Sequence, residues 1–227
     1  MAWDAGHRTD GSDSKARVVA PRQHWPEMRA LILVASAEKK GVSSTAGMQT
    51  TVATSALFKT RAETVVPKAM QEMESAIATR DFEKFAKATM RDSNSFHATC
   101  MDTDPPIFYL NDVSRASIRA VERINERAGK TVAAYTFDAG PNCVIYYLEE
   151  NRNIVIEGFG KALEHVDGWR GISDGNVANS VIEGKRDEED ATLQILGKGV
   201  TRVIHTSVGE GPVSVEEHLV DAAGKPI

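Results

Sequence analysis

The first 27 residues are polar, rich in Gly, Asp and Ser, and carry Pro21 and Pro26, so they read as a loop. Residues 29–35 (RALILVA) then form a short apolar run that stops before a turn, which predicts a buried strand. After it comes KKGVSSTAGM, where Gly41 breaks the strand and Ser43, Ser44 and Thr45 are helix-capping types. A helix is expected over 46–55 and a longer one to about residue 78, with Pro67 as a break or kink. Residues 81–99 place Phe82, Phe85, Ala86, Met90 and Phe96 near helical spacing. The stretch DTDPPIFYLN cannot be helical through its two prolines and reads as a loop leading into an extended piece.

Asn111 or Asp112 then caps an amphipathic helix to about residue 127, with Ile118, Val121 and Ile124 on one side and Gly129 ending it. TVAAYTF (131–137) and CVIYYL (143–148) are strands joined by the turn-rich connector 138–142. A helix is expected over 153–166, irregular acidic chain over 167–190, a helix near 188–196 and a strand over 200–208, with a weakly patterned tail. Interspersed helices and strands with one tight strand-to-strand link predict an α+β fold, its helices packed on one face of a mainly antiparallel sheet. The domain is expected over 28–212, between the opening loop and a tail from 213.

Composition narrows the function classes. Of 227 residues, 26% are charged, the net charge is −5, and no Lys/Arg stripe forms, so a nucleic-acid partner has no electrostatic support. The longest apolar stretch, 31–37, is far short of the roughly 20 residues that cross a bilayer, and the N-terminus lacks the apolar core of a secretory signal. Two cysteines do not make a disulfide framework, which points to reduced thiols in the cytosol.

Three places can carry chemistry. GVSSTAGM (41–48) is a Gly/Ser/Thr loop opening a helix, where free N–H groups, hydroxyls and the positive helix end suit a phosphate or diphosphate; the same residues also make a plain helix cap. It is not a Walker A loop. In TFDAGPN (136–142) a strand runs into Asp138 and a Gly/Pro turn, exposing a carboxylate fit for a general base or a charge-orienting group, or for a simple Asx turn. In SNSFHATC (93–100) His97 and Cys100 share a helical face, but two ligands are not a metal site, and a packed histidine is the better account. The acidic run 187–190 reads as a solvated helix start.

Read together and in order, these segments resemble the mevalonate diphosphate decarboxylases of the GHMP kinase superfamily. The stretches are DGSDSKA (10–16), HWPEMRALILVASAEKKGVSSTAGMQTTVATS (24–55), ETVVPKAMQEM (63–73), MRDSNSFHATCMDT (90–103), PPIFYLND (105–112), AYTFDAGPNCVIYYL (134–148) and VTRVIHTSVGEGP (200–212). SSTAGM and AYTFDAGPN are the specific ones. The resemblance implies ATP-dependent conversion of mevalonate 5-diphosphate to isopentenyl diphosphate, CO2, ADP and phosphate, in a cytosolic homodimer. It places Asp138 beside the substrate's 3-hydroxyl, as base or as orienting group, and makes Ser44 and Thr45 substrate contacts. It implies no metal held by the protein, only Mg²⁺ that travels with ATP.

The family's front half is absent: the YWGK-type lysine motif, the Ser-rich loop for the ATP phosphates and a Ser-x-x-Arg segment that grips substrate have no counterpart here. Only Met1-Ala2-Trp3 matches the end of a front-half strand, so Met1 reads as an internal methionine and the chain as a C-terminal part with little affinity for ATP. An alternative is a non-catalytic module that dimerises with or regulates the complete enzyme. The superfamily's phosphomevalonate or homoserine kinases are a poorer match, since they lack the pairing of FDAGPN aspartate and SSTAGM loop.

Overall fold

The computed structural model describes residues 1–35, 43–170, 186–211, 214–216 and 218–226. Its main sheet has the order β4-β5-β3-β6, with every pairing antiparallel. Strand β3 (Met28–Ala35) lies between β5 (Cys143–Leu148) and β6 (Val200–Ser207), and β4 (Ala133–Thr136) forms the edge beyond β5. A separate ribbon pairs β1 (Ala2–Asp4) with β2 (Lys15–Arg17).

That ribbon corrects the expectation of a loop over the opening residues. It lacks an apolar alternation because polar side chains hold it. The Trp3 indole donates to Ser14 Oγ at 2.7 Å, Asp13 accepts from the amides of His7 and Arg8, and Arg17 pairs with Asp4 at 3.0 Å.

The helices are α1 (Ser44–Thr54), α2 (Ala56–Thr60), α3 (Val66–Thr79), α4 (Phe82–Met101), α5 (Asp112–Ala128), α6 (Arg152–Leu163) and α7 (Arg186–Gly199). The chain bends at Ser55, which has extended backbone, and passes from α2 to α3 through a π-helical turn, Arg61–Val65. The interruption expected at Pro67 is this π-helical turn, which ends just before Pro67 in the first turn of α3. Asp81 caps α4 through the Lys84 amide. Asn111 caps α5 in a reciprocal capping box with Ser114, and Gly129 ends that helix at φ 63°. Helix α7 starts earlier and ends later than the acidic pattern suggested, and residues 171–185 of the expected irregular stretch lie outside the described residues.

The period-2 alternation of the strands builds two unequal faces. Leu31, Leu33, Cys143, Ile145, Tyr147 and Tyr135 point into one core with Val121 and Ile124 of α5, Phe159 and Leu163 of α6 and Leu196 of α7. Each fully buried large apolar side chain of this kind is worth about 1.5–3 kcal/mol. The other face is covered only in part, which corrects the one-face expectation. Phe82, Phe85 and Ala86 of α4 pack with Trp25 and Met28 over Ala134, Tyr146 and Leu148. Ile204, further along that face, is exposed. Strand β4 is a short edge, and α4 lies along it.

Two histidines are held neutral inside the fold. His205 on β6 shares a 2.7 Å hydrogen bond with the buried Tyr147 hydroxyl, the two rings stacked at 6.1 Å. Burial pushes the Tyr147 phenol up to about 12 and pulls His205 down, Arg152 adding to the fall. His97 on α4 is also pulled down by burial.

The two histidines set a pH dependence. In the unfolded chain they titrate near the ordinary value of about 6.5, so below that pH the unfolded state binds more protons than the folded one. Stability present above about pH 6.5 should fall progressively as pH drops from there. A variant with both histidines changed to Asn should lose less of its thermal midpoint between about pH 7 and pH 5 than the parent chain; equal losses would exclude the histidines as the cause.

Backbone constraint gives a second expectation. Gly168 has φ 82°, and a side chain there would run into the Val203 carbonyl; Gly129 is equally left-handed but faces open space. Gly129→Ala should cost about 1–2 kcal/mol and Gly168→Ala clearly more, as read from urea unfolding midpoints. Equal midpoints for the two variants would mean that the Val203 contact gives way freely.

Candidate functional site

The pairing of Leu33 with Cys143 means that the chain leaving β3 and the chain entering β5 lie at the same end of the sheet. The first leads to Ser44 and Thr45, and the second carries Asp138. A direct bond ties the two: Asn142 Oδ1 accepts from the Ala35 N–H at 3.0 Å.

Of the three capping candidates, Ser43 takes the cap, its Oγ accepting from the Ala46 N–H at 3.1 Å. Ser44 and Thr45 are thus the first two residues of α1, Ser44 half-buried and Thr45 exposed, and neither hydroxyl is needed for capping. Gly41 and Val42 lie outside the described residues. Gly47 lets α1 close onto its neighbour, because any side chain there would meet the Tyr109 hydroxyl.

Asp138 stands just past the end of β4 and is exposed. Its turn is closed by the main chain, the Gly140 N–H donating to the Asp138 carbonyl at 2.7 Å, so the carboxylate is not what holds the turn. Side chains from two helices anchor the segment around it. Ser93 Oγ of α4 accepts from the Phe137 N–H at 3.1 Å, and Ser114 Oγ of α5 donates to the Pro141 carbonyl at 2.9 Å. One residue on from Ser93, Asn94 donates to the Tyr135 hydroxyl at 3.0 Å.

A nest of rings lies between α1 and the end of β4. Tyr109, the neighbour of Gly47, stacks on Phe96 at 6.5 Å and meets His97 edge-on at 6.4 Å; His97 meets Phe137 edge-on at 6.1 Å. His97 is 6% exposed, and its Nε2 is buried without a hydrogen-bond partner. Burial pulls its pKa down, the Phe137 backbone and the Asp138 carboxylate pull it back up, and Arg61 lowers it again. Arg61 pairs with Asp92 at 2.8 Å and lies 5.9 Å over the Phe96 ring. Hydroxyls at a helix start suit an anion, and an exposed carboxylate just past a strand end suits action on a hydroxyl.

The sequence reading singles out Asp138, Ser44 and Thr45; Asp138 follows β4 at this end of the sheet, and Ser44 and Thr45 open α1, which approaches Tyr109 at Gly47. It weighed His97 and Cys100 as a metal pair and preferred packing; both are buried on α4, and burial raises the Cys100 thiol. Among the described residues, no three His, Cys, Asp or Glu side chains converge as a metal site. The reading missed Ser93, Ser114, Asn142 and Arg61. Ser93 lies four residues before His97, one helical turn, which was the one local signal available. A mostly apolar cavity of about 560 Å³, lined by Trp25, Met28, Met70, Phe85 and Tyr146 and reaching Asp92 and Thr136, includes none of the three predicted residues.

The family profile described as mevalonate 5-diphosphate decarboxylase C-terminal domain matches residues 30–215. A diphosphomevalonate decarboxylase of Gibberella zeae is 63% identical over 220 residues, covering 96% of this chain and 56% of the relative. The chain therefore spans a little over half the length of that protein. The crystal structure of a mevalonate 5-diphosphate decarboxylase matches with a TM-score of 0.82 and 45% identity, over 98% of this chain and 58% of that one. The complex of MDDEF with MVAPP, AMPPCP and magnesium matches with a TM-score of 0.62 and 26% identity, over 72% of this chain and 47% of that one. With sequence and fold in agreement, this chain belongs to the mevalonate 5-diphosphate decarboxylase family, whose C-terminal domain it carries.

Proposed function

We propose that this domain forms the Asp138 side of a site that decarboxylates mevalonate 5-diphosphate with ATP. The observation that carries the reading is the meeting of the Asp138 loop with the strand end that leads to Ser44 and Thr45, tied by Asn142. The tertiary 3-hydroxyl of the substrate is a poor leaving group and is phosphorylated first. Loss of that phosphate builds positive charge at C3, and the carboxylate then leaves as CO2. Asp138 sits beside the 3-hydroxyl, where a carboxylate can take or orient its proton and then stabilise the charge that develops. Ser44 and Thr45 hold the substrate by their hydroxyls at the start of α1, where the helix dipole favours anions.

The MDDEF complex, with its MVAPP, AMPPCP and magnesium, supports the same co-substrates here. Mg²⁺ would be held by ATP oxygens and would neutralise phosphate charge during transfer. We further read the complete enzyme as a cytosolic homodimer, on the family resemblance. No helix among the described residues is long and apolar enough to cross a membrane.

Kinetics on the complete enzyme, in which this chain is joined to the front half of its relatives, test the reading. Asp138→Ala and Asp138→Asn should lower kcat by at least about 10²–10⁴, the usual worth of general acid–base help, with much less change in substrate affinity. Near-normal ADP and CO2 release in either variant would remove Asp138 from the chemistry. Ser44→Ala should both raise KM and lower kcat, since a substrate-holding hydroxyl serves binding and orientation together. The 227-residue chain assayed alone should neither bind Mg-ATP nor release CO2. Turnover by the bare chain would show that the ATP site does not depend on the front half.

A further inference from the structure

In the pairing of β3 with β5, Leu33 stands opposite Cys143, so two further residues of ladder would set Ala35 opposite Pro141. The ladder stops short of that pair. Pro141 has no N–H to give, and its carbonyl is turned to α5, where it accepts from Ser114 Oγ at 2.9 Å. Ala35 is buried, and its amide would be left without the strand partner that its position calls for. Asn142 replaces that partner, its Oδ1 accepting the Ala35 N–H at 3.0 Å. A side chain thus stands in for a main-chain carbonyl, and the main chain so released makes the turn that carries Asp138.

We propose that Asn142 is a positioning residue for Asp138, working with Ser114 to hold the turn off the ladder. The inference rests on the role of Asp138 put forward above and adds to it the contacts that set where its turn ends. Three observations favour it over a plain strand end. Asn142 is exposed, so its bond to a buried amide is no by-product of core packing. Ser114 is fully buried and already accepts the Asn111 N–H in the α5 cap at 3.2 Å; its single proton goes to Pro141, which is nearer than Asn111 Oδ1 at 3.2 Å. At the other end of the turn, Ser93 Oγ accepts the Phe137 N–H at 3.1 Å, so residues 137–142 are fixed at both ends. Without the Asn142 oxygen, the acceptor that the ladder offers to the Ala35 amide is the Pro141 carbonyl. Capturing it would draw the turn, and Asp138 with it, toward β3.

The test pairs a local readout with a kinetic one. Asn142→Ala removes the acceptor, whereas Asn142→Asp keeps an oxygen that can take the same N–H. In the 227-residue chain, amide exchange followed by NMR should quicken about tenfold or more at Ala35 in Asn142→Ala while Ile145 in the core stays protected. Asn142→Asp should keep the protection at Ala35. In the complete enzyme, Asn142→Ala should lower kcat by roughly 10–100-fold with KM nearly unchanged, as expected when a reacting group is misplaced, and Asn142→Asp should recover most of it. On an Asp138→Asn background the same change should lower kcat by no more than about twofold, because the carboxylate it positions is already gone.

Unchanged exchange at Ala35 in Asn142→Ala would overturn the tie. Full kcat in that variant, no recovery with Asn142→Asp, or an equal loss on both backgrounds would overturn the positioning role. Ser114→Ala frees the Pro141 carbonyl from the other side and gives an independent measure: kcat should fall with KM nearly unchanged, and an unchanged kcat would remove Ser114 from the pair. The two readings separate cleanly: Asp138→Asn with normal turnover removes the catalytic aspartate, while exchange at Ala35 still reports on the tie.

Discussion

Leu33 lies opposite Cys143 in the pairing of β3 with β5, and the placement of the candidate site depends on that register. Because side chains alternate across a sheet, a slip of β3 by one residue would turn both Leu31 and Leu33 out of the core, away from Ile145 and Tyr147. Exposing two large apolar side chains costs about 3–6 kcal/mol, which a surface loop does not offset. The same register brings the last amide of β3 within reach of Asn142. The end of β3 and the Asp138 turn are thus held together by a constraint that originates in the core, not in the turn itself.

Helix α4 carries much of the remaining structure. Its N-terminal half is an ordinary packing element, with Phe82, Phe85 and Ala86 covering the β4 side of the sheet. Its C-terminal half changes character: Ser93 and Asn94 present polar atoms to Phe137 and Tyr135 where the ladder runs out. Helix α5 contributes from the other side through Ser114, which completes the helix cap and also holds the Pro141 carbonyl. The Asp138 turn is therefore suspended between two rigid helices. Rigid support of this kind is what a group needs if it is to meet a developing charge without first reorganising.

Local patterns revealed the strands CVIYYL and TVAAYTF, the caps at Asp81 and Asn111 and the stop at Gly129, because each is determined by neighbours close in sequence. They also offered Asp138 and the Ser44–Thr45 pair as candidates, from turn and cap chemistry close in sequence, and the family resemblance joined them. The opening ribbon escaped notice because it is held by Trp3 with Ser14 and by Asp13 with main-chain amides, not by an apolar alternation. The second covered face of the sheet escaped because a helix's apolar stripe does not say which layer it meets. Ser93 and Ser114 read as unremarkable polar positions, since the groups they hold lie 44 and 27 residues away.

The crossing of the chain over β6 has a consequence for solubility. At Asp167–Trp169 the backbone passes beside the outer strand, with Asp167 bridging to Arg202 and its carbonyl accepting from the Val203 amide at 2.8 Å. Gly168 makes room for that approach. An open strand edge is a template on which another polypeptide can add a strand and begin to aggregate. Here a few residues occupy the middle of that template, and the charge of Arg202 stands beside them. The molecule protects its outermost strand against intermolecular zipping without building a further strand.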